Sequence, residues 1–362
     1  MTEHQCCGVA AHDKRGLRAG IALSIAALLA GCAAVATPEP TAQVPAARET
    51  EAVASRGDAA DDPAIWRNPA DPGASLIVAT DKKAGLFVYG LNGAVRSSLP
   101  AGRVNNVDLR DGVAFDGGPG VLVGASDRSD LAAARIALYR LDPDRGQLQP
   151  VGAVEAGAGE AYGFCLWRRR EDAAVFAFLV MKNGQIVQAR LDLAGGAVRG
   201  EIVRRVKLAT QSEGCVADDR TGLLYVGEEM AGVWRLSAAP DATEAPVLFA
   251  AADGRRLVTD VEGVAIAPEG ESGGLLIVSS QGDSAYAAYR LEDGAYVGRF
   301  RIGPGPDGIG GTSETDGIEI ALGDFGSDFP EGLMIAQDGD NAPKAQNFKM
   351  VDWREVRRAL GL

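Results

Sequence analysis

The stretch SEGCVADDRTGLLYVGEEMAGVWRL, Ser212 to Leu236, sets two short apolar runs, VA and LLYV, among five carboxylates: Glu213, Asp218, Asp219, Glu228 and Glu229. Like charges repel, and grouped carboxylates raise one another's pKa unless something neutralises them. Either each acid reaches water separately or a cation belongs among them. The pieces of this stretch recur along the chain, and the recurrence decides the fold.

GLLYVGEE, from Gly222, is one of six apolar runs that end in polar residues. The others are SLIVATDK from Ser75, GVLVGASDR from Gly120, VFAFLVMKN from Val175, GLLIVSSQGD from Gly274 and GLMIAQDGD from Gly332. A second type of run follows and ends in Leu91, Leu141, Leu191, Leu236 and Leu291, spaced by 50, 50, 45 and 55 residues. A third type precedes the first: DDPAIW, NNVDLR, YGFCLW, SEGCVADD, VEGVAIA and TDGIEIA. Its glycines Gly163, Gly214, Gly263 and Gly317 are 51, 49 and 54 residues apart. A period of this size with several strands per unit is the mark of a β-propeller. Gly- and Asp-rich turns between runs of Val, Ile, Leu and Tyr favour strands over helices. The reading is an all-β, six-bladed β-propeller. Three registers repeating together count against the alternative, a β-sandwich with chance spacing. The end, DWREVRRALGL, places Trp353, Val356 and Leu360 at helical spacing, so a short C-terminal helix should pack on the outside. Ring closure is expected from the segment around Glu51 to Ser55 pairing with the last blade. Trp66, Trp167 and Trp234 are expected to pack between blades.

Lys14, Arg15 and Arg18 precede the apolar run IALSIAALLA and the small residues of LAGC. This reads as a secretory signal peptide over residues 1–31. LAGC resembles a bacterial lipobox, which implies lipidation of Cys32; Ala33 after it points to the outer membrane. The apolar run is short for a plain transmembrane anchor. Residues 32–51, rich in Ala, Pro and Thr, read as a tether. The folded domain is expected over 52–362.

The formal net charge is −13. It argues against nucleic acid as a partner, because phosphate backbones require basic faces, and it suits a surface that recruits cations. Both histidines, His4 and His12, lie in the leader. The processed chain therefore has no Ser-His-Asp triad, phosphohistidine or His-ligated metal. Beyond Cys32 the cysteines are Cys165 and Cys215, neither with an Arg six residues on. They stand one residue out of register in adjacent repeats. A disulfide and two small buried side chains remain equal alternatives. Catalysis falls to carboxylates, Lys, Arg, Tyr, hydroxyls and metals.

In a propeller, equivalent positions of successive blades form rings around one axis. The third type of run brings together Asp61, Asp62, Asn105, Asn106, Tyr162, Glu213, Glu262 and Asp316. The neighbouring strand ends add Lys82, Lys83, Arg128, Lys182, Glu228 and Asp338. An oxygen-only ring suits Ca²⁺, and the number of carboxylates exceeds the need of one ion. Cations beside metal-binding acids make a site for phosphate. Surface ion pairing is the simpler explanation for any one of these bases, but less so for four at equivalent strand ends.

DDPAIW, DKKAGLFVYGL, NNVDLR, YGF, SEGCVADD, GLLYVGEE, DVEGVAIA, SSQGDSAYAAYRL, TSETDGIEI and FPEGLMIAQDGDN…QNFKMVDW resemble, in order, motifs of the β-propeller phytases, the alkaline, calcium-dependent 3-phytase family. The resemblance runs from near Ser55 to Trp353. It implies removal of phosphate from myo-inositol hexakisphosphate by metal-activated water, with Ca²⁺ in the site and on the substrate. It also implies roles. Asp61, Glu213, Glu262 and Asp316 would ligate the catalytic calcium ions, helped by Tyr162, Glu228 and Asp260. Lys82 and Arg128 would hold the phosphate being cleaved, and Lys83 and Lys182 a neighbouring one. Asp58, Asp338, Asp340 and Asn341 would belong to calcium sites that stabilise the ring. The expected protein is a monomer acting on calcium phytate, reaching the membrane only through its lipid anchor. Two departures stand out. Gly310 replaces a frequent acidic residue before TSETDG, and Asp81 replaces a frequent Asn beside the lysine pair. GPGPDG, Gly303 to Gly308, matches a dinucleotide fingerprint only in its letters, because a strand follows it. Rival readings are a calcium-dependent lactonase on the same ring and a propeller that binds phosphorylated ligands without turnover.

Overall fold

The computed structural model describes residues 37–194 and 198–362. The expected signal peptide, 1–31, and Cys32 lie outside the described residues. The rest is six sheets, one helix and short 3-10 turns.

The first blade comprises Ala60–Trp66, Leu76–Asp81, Gly85–Gly90 and Val95–Leu99. The second comprises Val104–Phe115, Gly118–Asp127, Ala133–Asp142 and Gln147–Ala158. The third comprises Ala161–Arg168, Val175–Met181, Gln185–Asp192 and Arg199–Lys207. The fourth comprises Ser212–Asp218, Leu223–Glu228, Gly232–Ser237 and Val247–Ala251. The fifth comprises Val261–Glu269, Gly273–Ser280, Ala285–Arg290 and Tyr296–Gly303. Ile318–Leu322, Gly332–Asp338 and Asn347–Asp352 form the sixth. Within each blade these strands pair antiparallel in chain order. The first strand of each blade packs on the first strand of the next, and the sixth returns to the first. These strands therefore surround one axis in a closed six-bladed propeller.

The second strands are buried on both faces: every residue of Leu76–Asp81, Val175–Met181 and Gly332–Asp338 is buried. Blades pack face to face, so these strands read as continuous apolar runs instead of alternating. Six apolar clusters fill the six inter-blade interfaces. Each fully buried Leu, Ile or Phe in them contributes about 1.5–3 kcal/mol. Trp167 takes the expected place between the third and fourth blades, stacked 5.1 Å from Phe176. Trp353–Ala359 is the expected helix; Trp353 and Val356 are buried, and Asp352 caps it by accepting from Arg354 N.

Closure differs from expectation in its start. Arg48–Glu49 pairs antiparallel with Met350 and Lys349, and backbone bonds continue from Thr50 N to Phe348 O and Val53 N to Gln346 O. Upstream, Ala42–Pro45 adds a parallel fifth strand to the fifth blade. The later part of the segment read as a tether is thus part of the ring. Val44 and Ala46 are buried in the interface between the fifth and sixth blades; two buried residues in an Ala/Pro-rich run are too few to show a period.

The four spaced glycines have one shared cause. A Cβ on Gly163 or Gly214 would penetrate the carbonyl oxygen of Glu213 or Glu262 in the next blade. On Gly263 and Gly317 it would lie 2.5 Å from Asp316 O and 2.6 Å from Asp61 O. Gly263 N donates to Asp316 O at 2.7 Å and Gly317 N to Asp61 O at 3.1 Å. Cys165 and Cys215 are disulfide-bonded between the first strands of the third and fourth blades, with Cα atoms 5.7 Å apart. A crosslink closing a loop of this length contributes about 2–4 kcal/mol.

Gly214→Ala should destabilise the ring by about 1–3 kcal/mol, the usual cost of overpacking. A melting temperature equal to wild type would remove the close-approach explanation.

Candidate active site

The residue before each spaced glycine stands at or just before the start of its blade's first strand, at one end of the axis: Tyr162, Glu213, Glu262 and Asp316. Asp61 and Asn105 hold the same place in the first two blades. Asp61, Asn105, Glu213 and Glu262 are buried. The acids that sequence placed 255 residues apart, Asp61 and Asp316, now share one ammonium. Lys82 Nζ lies 3.0 Å from both Asp61 Oδ2 and Asp316 Oδ2 and 2.6 Å from Asp58 Oδ1. Asp58, expected in a separate stabilising site, is therefore at the edge of this one.

A second ring is set by one repeated backbone bond. The residue after each second strand donates its N–H to the carbonyl two residues before the first-ring position. The pairs are Lys82 to Ala59, Arg128 to Arg103, Lys182 to Glu160, Glu229 to Gln211 and Gln281 to Asp260. In the sixth blade Gly339 donates to Ser313, one residue further back. The basic members come from the first three blades, as expected. The acidic member is Glu229, not Glu228. Carboxylate oxygens of Glu213, Glu229 and Glu262 lie within 4.8 Å of one another. Glu228 instead accepts from Thr210 N at 2.5 Å, Thr210 Oγ1 at 2.6 Å and Trp234 Nε1 at 2.7 Å. Neighbouring residues of a strand face opposite ways, so a shift of one residue exchanges a site acid for a structural one. Aligning GLLYVGEE on its final residue against SLIVATDK would have found Glu229.

The same shift removes Asp338 from the second ring. Asp338 accepts from Ser313 N at 3.2 Å, and its Oδ2 lies 3.2 Å from Lys349 Nζ. That buried ammonium also reaches Glu49 Oε2 at 2.7 Å, Asn347 Oδ1 at 2.8 Å and Asn341 Oδ1 at 3.4 Å. A cation of the chain's own thus sits among the oxygens of Asp338 and Asn341. A Cβ on Gly310 would stand 3.9 Å from it. Asp340 is exposed and accepts from Ala342 N at 3.2 Å. Asp81 spends its carboxylate on Ser55 N, Lys83 N and Ala84 N.

On the basic side, Arg128 donates to Asn105 Oδ1 at 2.6 Å and to Glu160. Asn105 in turn donates to Glu213 Oε1 at 2.5 Å. Arg128 lies 5.5 Å and Lys182 Nζ 5.0 Å from the Tyr162 ring centre. Lys83 is exposed at the rim and donates to Arg56 O at 2.7 Å. Asp260 is half-buried, and its charge bears on Glu229.

Burial raises the pKa of Glu213, and Asp61 and Asp316 add to the rise against Lys82 and Tyr162. Burial likewise lifts Glu262, with Glu213 and Asp316 behind it. Burial and Asp61 push Asp316 up to about 7, with Lys82 opposing. Asp61 rises through burial despite Lys82. Asp61 Oδ1, Glu229 Oε1 and Glu262 Oε2 are buried without a hydrogen-bond partner. Buried charge without partners is costly, and a divalent ion taking only oxygen ligands relieves both the repulsion and the missing bonds. The residues present fit such an ion.

The other acids of Ser212–Leu236 are spent elsewhere. Asp218 pairs with Arg220 at 2.8 Å and Asp219 with Arg110 at 3.0 Å. Arg110 also binds Asp108 at 2.9 Å and the Leu166 carbonyl at 2.6 Å. It ties the second, third and fourth blades together at the opposite end of the axis. Glu319 stands there too, beside a cavity of about 280 Å³.

A family model described as Phytase matches residues 16–362. The chain is 39% identical over 331 residues to a 3-phytase of Bacillus subtilis (strain 168), covering 88% of this chain and 86% of the relative. The chain belongs to the phytase family. A chain from the crystal structure of a mitotic checkpoint complex is similar at a TM-score of 0.49 and 11% identity, over 88% of this chain and 84% of that one. That likeness says nothing about phytase chemistry.

Burial pushes the Glu319 carboxyl up to about 8 from 4.5, with Asp108 adding to the rise and Arg110 opposing. The folded state then holds a proton that the unfolded chain releases, so this contribution to stability is lost as pH rises from 4.5 through 8. Relative to wild type, Glu319→Gln should melt higher above pH 8, and the gap should shrink toward pH 5; both thresholds follow from the linkage at about those values. A gap that does not change with pH would contradict this.

Proposed function

We propose that this chain is a calcium-dependent phytase, a phosphoric monoester hydrolase that removes phosphate from myo-inositol hexakisphosphate. One observation carries the reading: cation-holding acids and phosphate-holding bases meet at one end of the axis, with Lys82 Nζ 3.0 Å from both Asp61 and Asp316. Membership of the phytase family supports the substrate class.

Asp61, Glu213, Glu262 and Asp316 hold the catalytic ions, with Tyr162, Glu229 and Asp260 at the edge. Calcium, when bound, supplies positive charge to the phosphoryl oxygens and acidifies the attacking water. Lys82 and Arg128 orient the phosphate to be cleaved; Lys83 and Lys182 hold its neighbour. The burial of Tyr162 and the charges of Glu213 and Glu262 keep its phenol protonated, so it serves as a hydrogen-bond donor and as a platform for two cations. The acids Glu213, Glu229, Glu262 and Asp316 come from the fourth to sixth blades and the bases from the first to third, with Asp61 of the first blade joining the acids through Lys82. Water thus enters on the acidic side while the basic side offsets charge on the phosphoryl oxygens. No phospho-enzyme is involved. Asp340 and Asn341 are the remaining candidates for ring-stabilising calcium, and Lys349 already serves part of that role at Asp338.

The proposal includes export and anchoring. Residues 1–31 act as a lipoprotein signal and Cys32 carries the lipid, in the outer membrane. The Cys165–Cys215 disulfide supports an oxidising compartment. One copy supplies every site residue, which supports a monomer, and the acidic balance supports a partner set without nucleic acid.

Glu213→Ala and Asp316→Ala should abolish phosphate release from calcium phytate while the ring stays folded, and EDTA should both stop wild-type turnover and lower its melting temperature. Full activity in either variant would refute the metal assignment. Cys32→Ala, expressed in a Gram-negative host, should move the protein from membranes to the soluble envelope fraction; continued membrane association would refute the lipid anchor.

A further inference from the structure

We propose that Glu160 is a positioning residue of this site. Its carboxylate sets the Arg128 guanidinium, and through Arg128 and Asn105 it ties the phosphate-holding side to the metal-holding side. The inference rests on the phytase reading above.

Glu160 stands two residues before Tyr162, at the start of the third blade. Its carbonyl accepts from Lys182 N at 3.1 Å, as the equivalent carbonyls do in other blades. No other blade has a glutamate on this bond: the accepting residues there are Ala59, Arg103, Gln211, Asp260 and, in the sixth blade, Ser313. Glu160 Oε1 accepts from Arg128 Nη2. Asn105 Oδ1 accepts from Arg128 Nη1 at 2.6 Å, and the Tyr162 ring lies 5.5 Å from the guanidinium carbon. Three neighbours thus fix one fork. The pair is largely withdrawn from water, at 14% exposure for Arg128 and 19% for Glu160, where a charge-assisted bond is strong.

A guanidinium carries five N–H donors. Glu160 and Asn105 each take one, and the buried Arg128 Nε has no partner. Each terminal nitrogen of the fork keeps a second N–H for a phosphate oxygen. Asn105 continues the line by donating to Glu213 Oε1 at 2.5 Å. Glu160, Arg128, Asn105 and Glu213 form one hydrogen-bonded chain from the rim to the acid ring. A shift of Glu160 therefore moves the cation that holds phosphate relative to the acids that hold the metal. Positioning of this kind is sensitive to displacements of about 1 Å.

The test compares Glu160→Gln, Glu160→Asp and Glu160→Ala by phosphate release from calcium phytate. Gln keeps an oxygen at the right reach; Asp keeps the charge but withdraws it. We expect Glu160→Gln to stay within about threefold of wild-type kcat/KM, and Glu160→Asp and Glu160→Ala to lose about tenfold or more, the scale of a misplaced contact. Calcium affinity by calorimetry should remain near wild type. In an Arg128→Lys background, Glu160→Asp should cost nothing further. Asp equal to or better than Gln, or losses that add to those of Arg128→Lys, would overturn the proposal. If Glu160→Ala does not fold, the Gln-over-Asp order decides alone. A wild-type chain that releases no phosphate would defeat the phytase reading instead, and the Gln-over-Asp order would then be read in phytate binding.

Discussion

The structure depends on how closely the first strands of neighbouring blades approach around the axis. At Gly163, Gly214, Gly263 and Gly317 there is no room for a side chain, because the next blade's carbonyl occupies it. The residue before each glycine is therefore held at a fixed distance from its counterpart in the next blade. Four of the six residues in that ring are carboxylates, and three of those are buried. Packing forces together groups whose charges repel. Their raised pKa values express the conflict, and a cation resolves it.

The mouth is divided by charge. In the second ring the first three blades contribute Lys82, Arg128 and Lys182, and the next contributes Glu229. A highly phosphorylated polyol carrying divalent ions is complementary to both halves at once. A lactone offers nothing for the basic half, and a phosphate alone leaves the acids unpaired. The lysine and arginine are already partnered inside the site, so they are oriented before a ligand arrives.

Three features hold this arrangement against the tendency of like charges to spread. The N-terminal segment supplies the outer strand of the sixth blade and a fifth strand to the fifth blade. The ring is thereby closed by pairing chain start with chain end. At the far end Arg110 binds acids and carbonyls from three blades, and the Cys165–Cys215 bond ties the third blade to the fourth beside Tyr162 and Glu213.

The fold was legible because it is written as a period: six apolar runs, five leucines and four glycines keep step over the whole chain. Periodicity also marked Asp61, Glu213, Glu262 and Asp316, since a glycine or a second polar residue follows each. Register at the strand ends was not legible. GLLYVGEE offers two adjacent glutamates, and composition does not say which one faces the axis; only the bond from Glu229 N to Gln211 O decides it. Nor does sequence separation show that Lys349 sits among Glu49, Asn347, Asp338 and Asn341, or that Ala42–Pro45 joins the sheet. The sequence by itself determined how many blades there are and which residue types crowd the axis, because both follow from a repeat. Tertiary structure alone decided that Glu228 is taken up by Thr210 and Trp234 while Glu229 joins Glu213 and Glu262, because side-chain direction depends on pairing partners that lie far away along the chain.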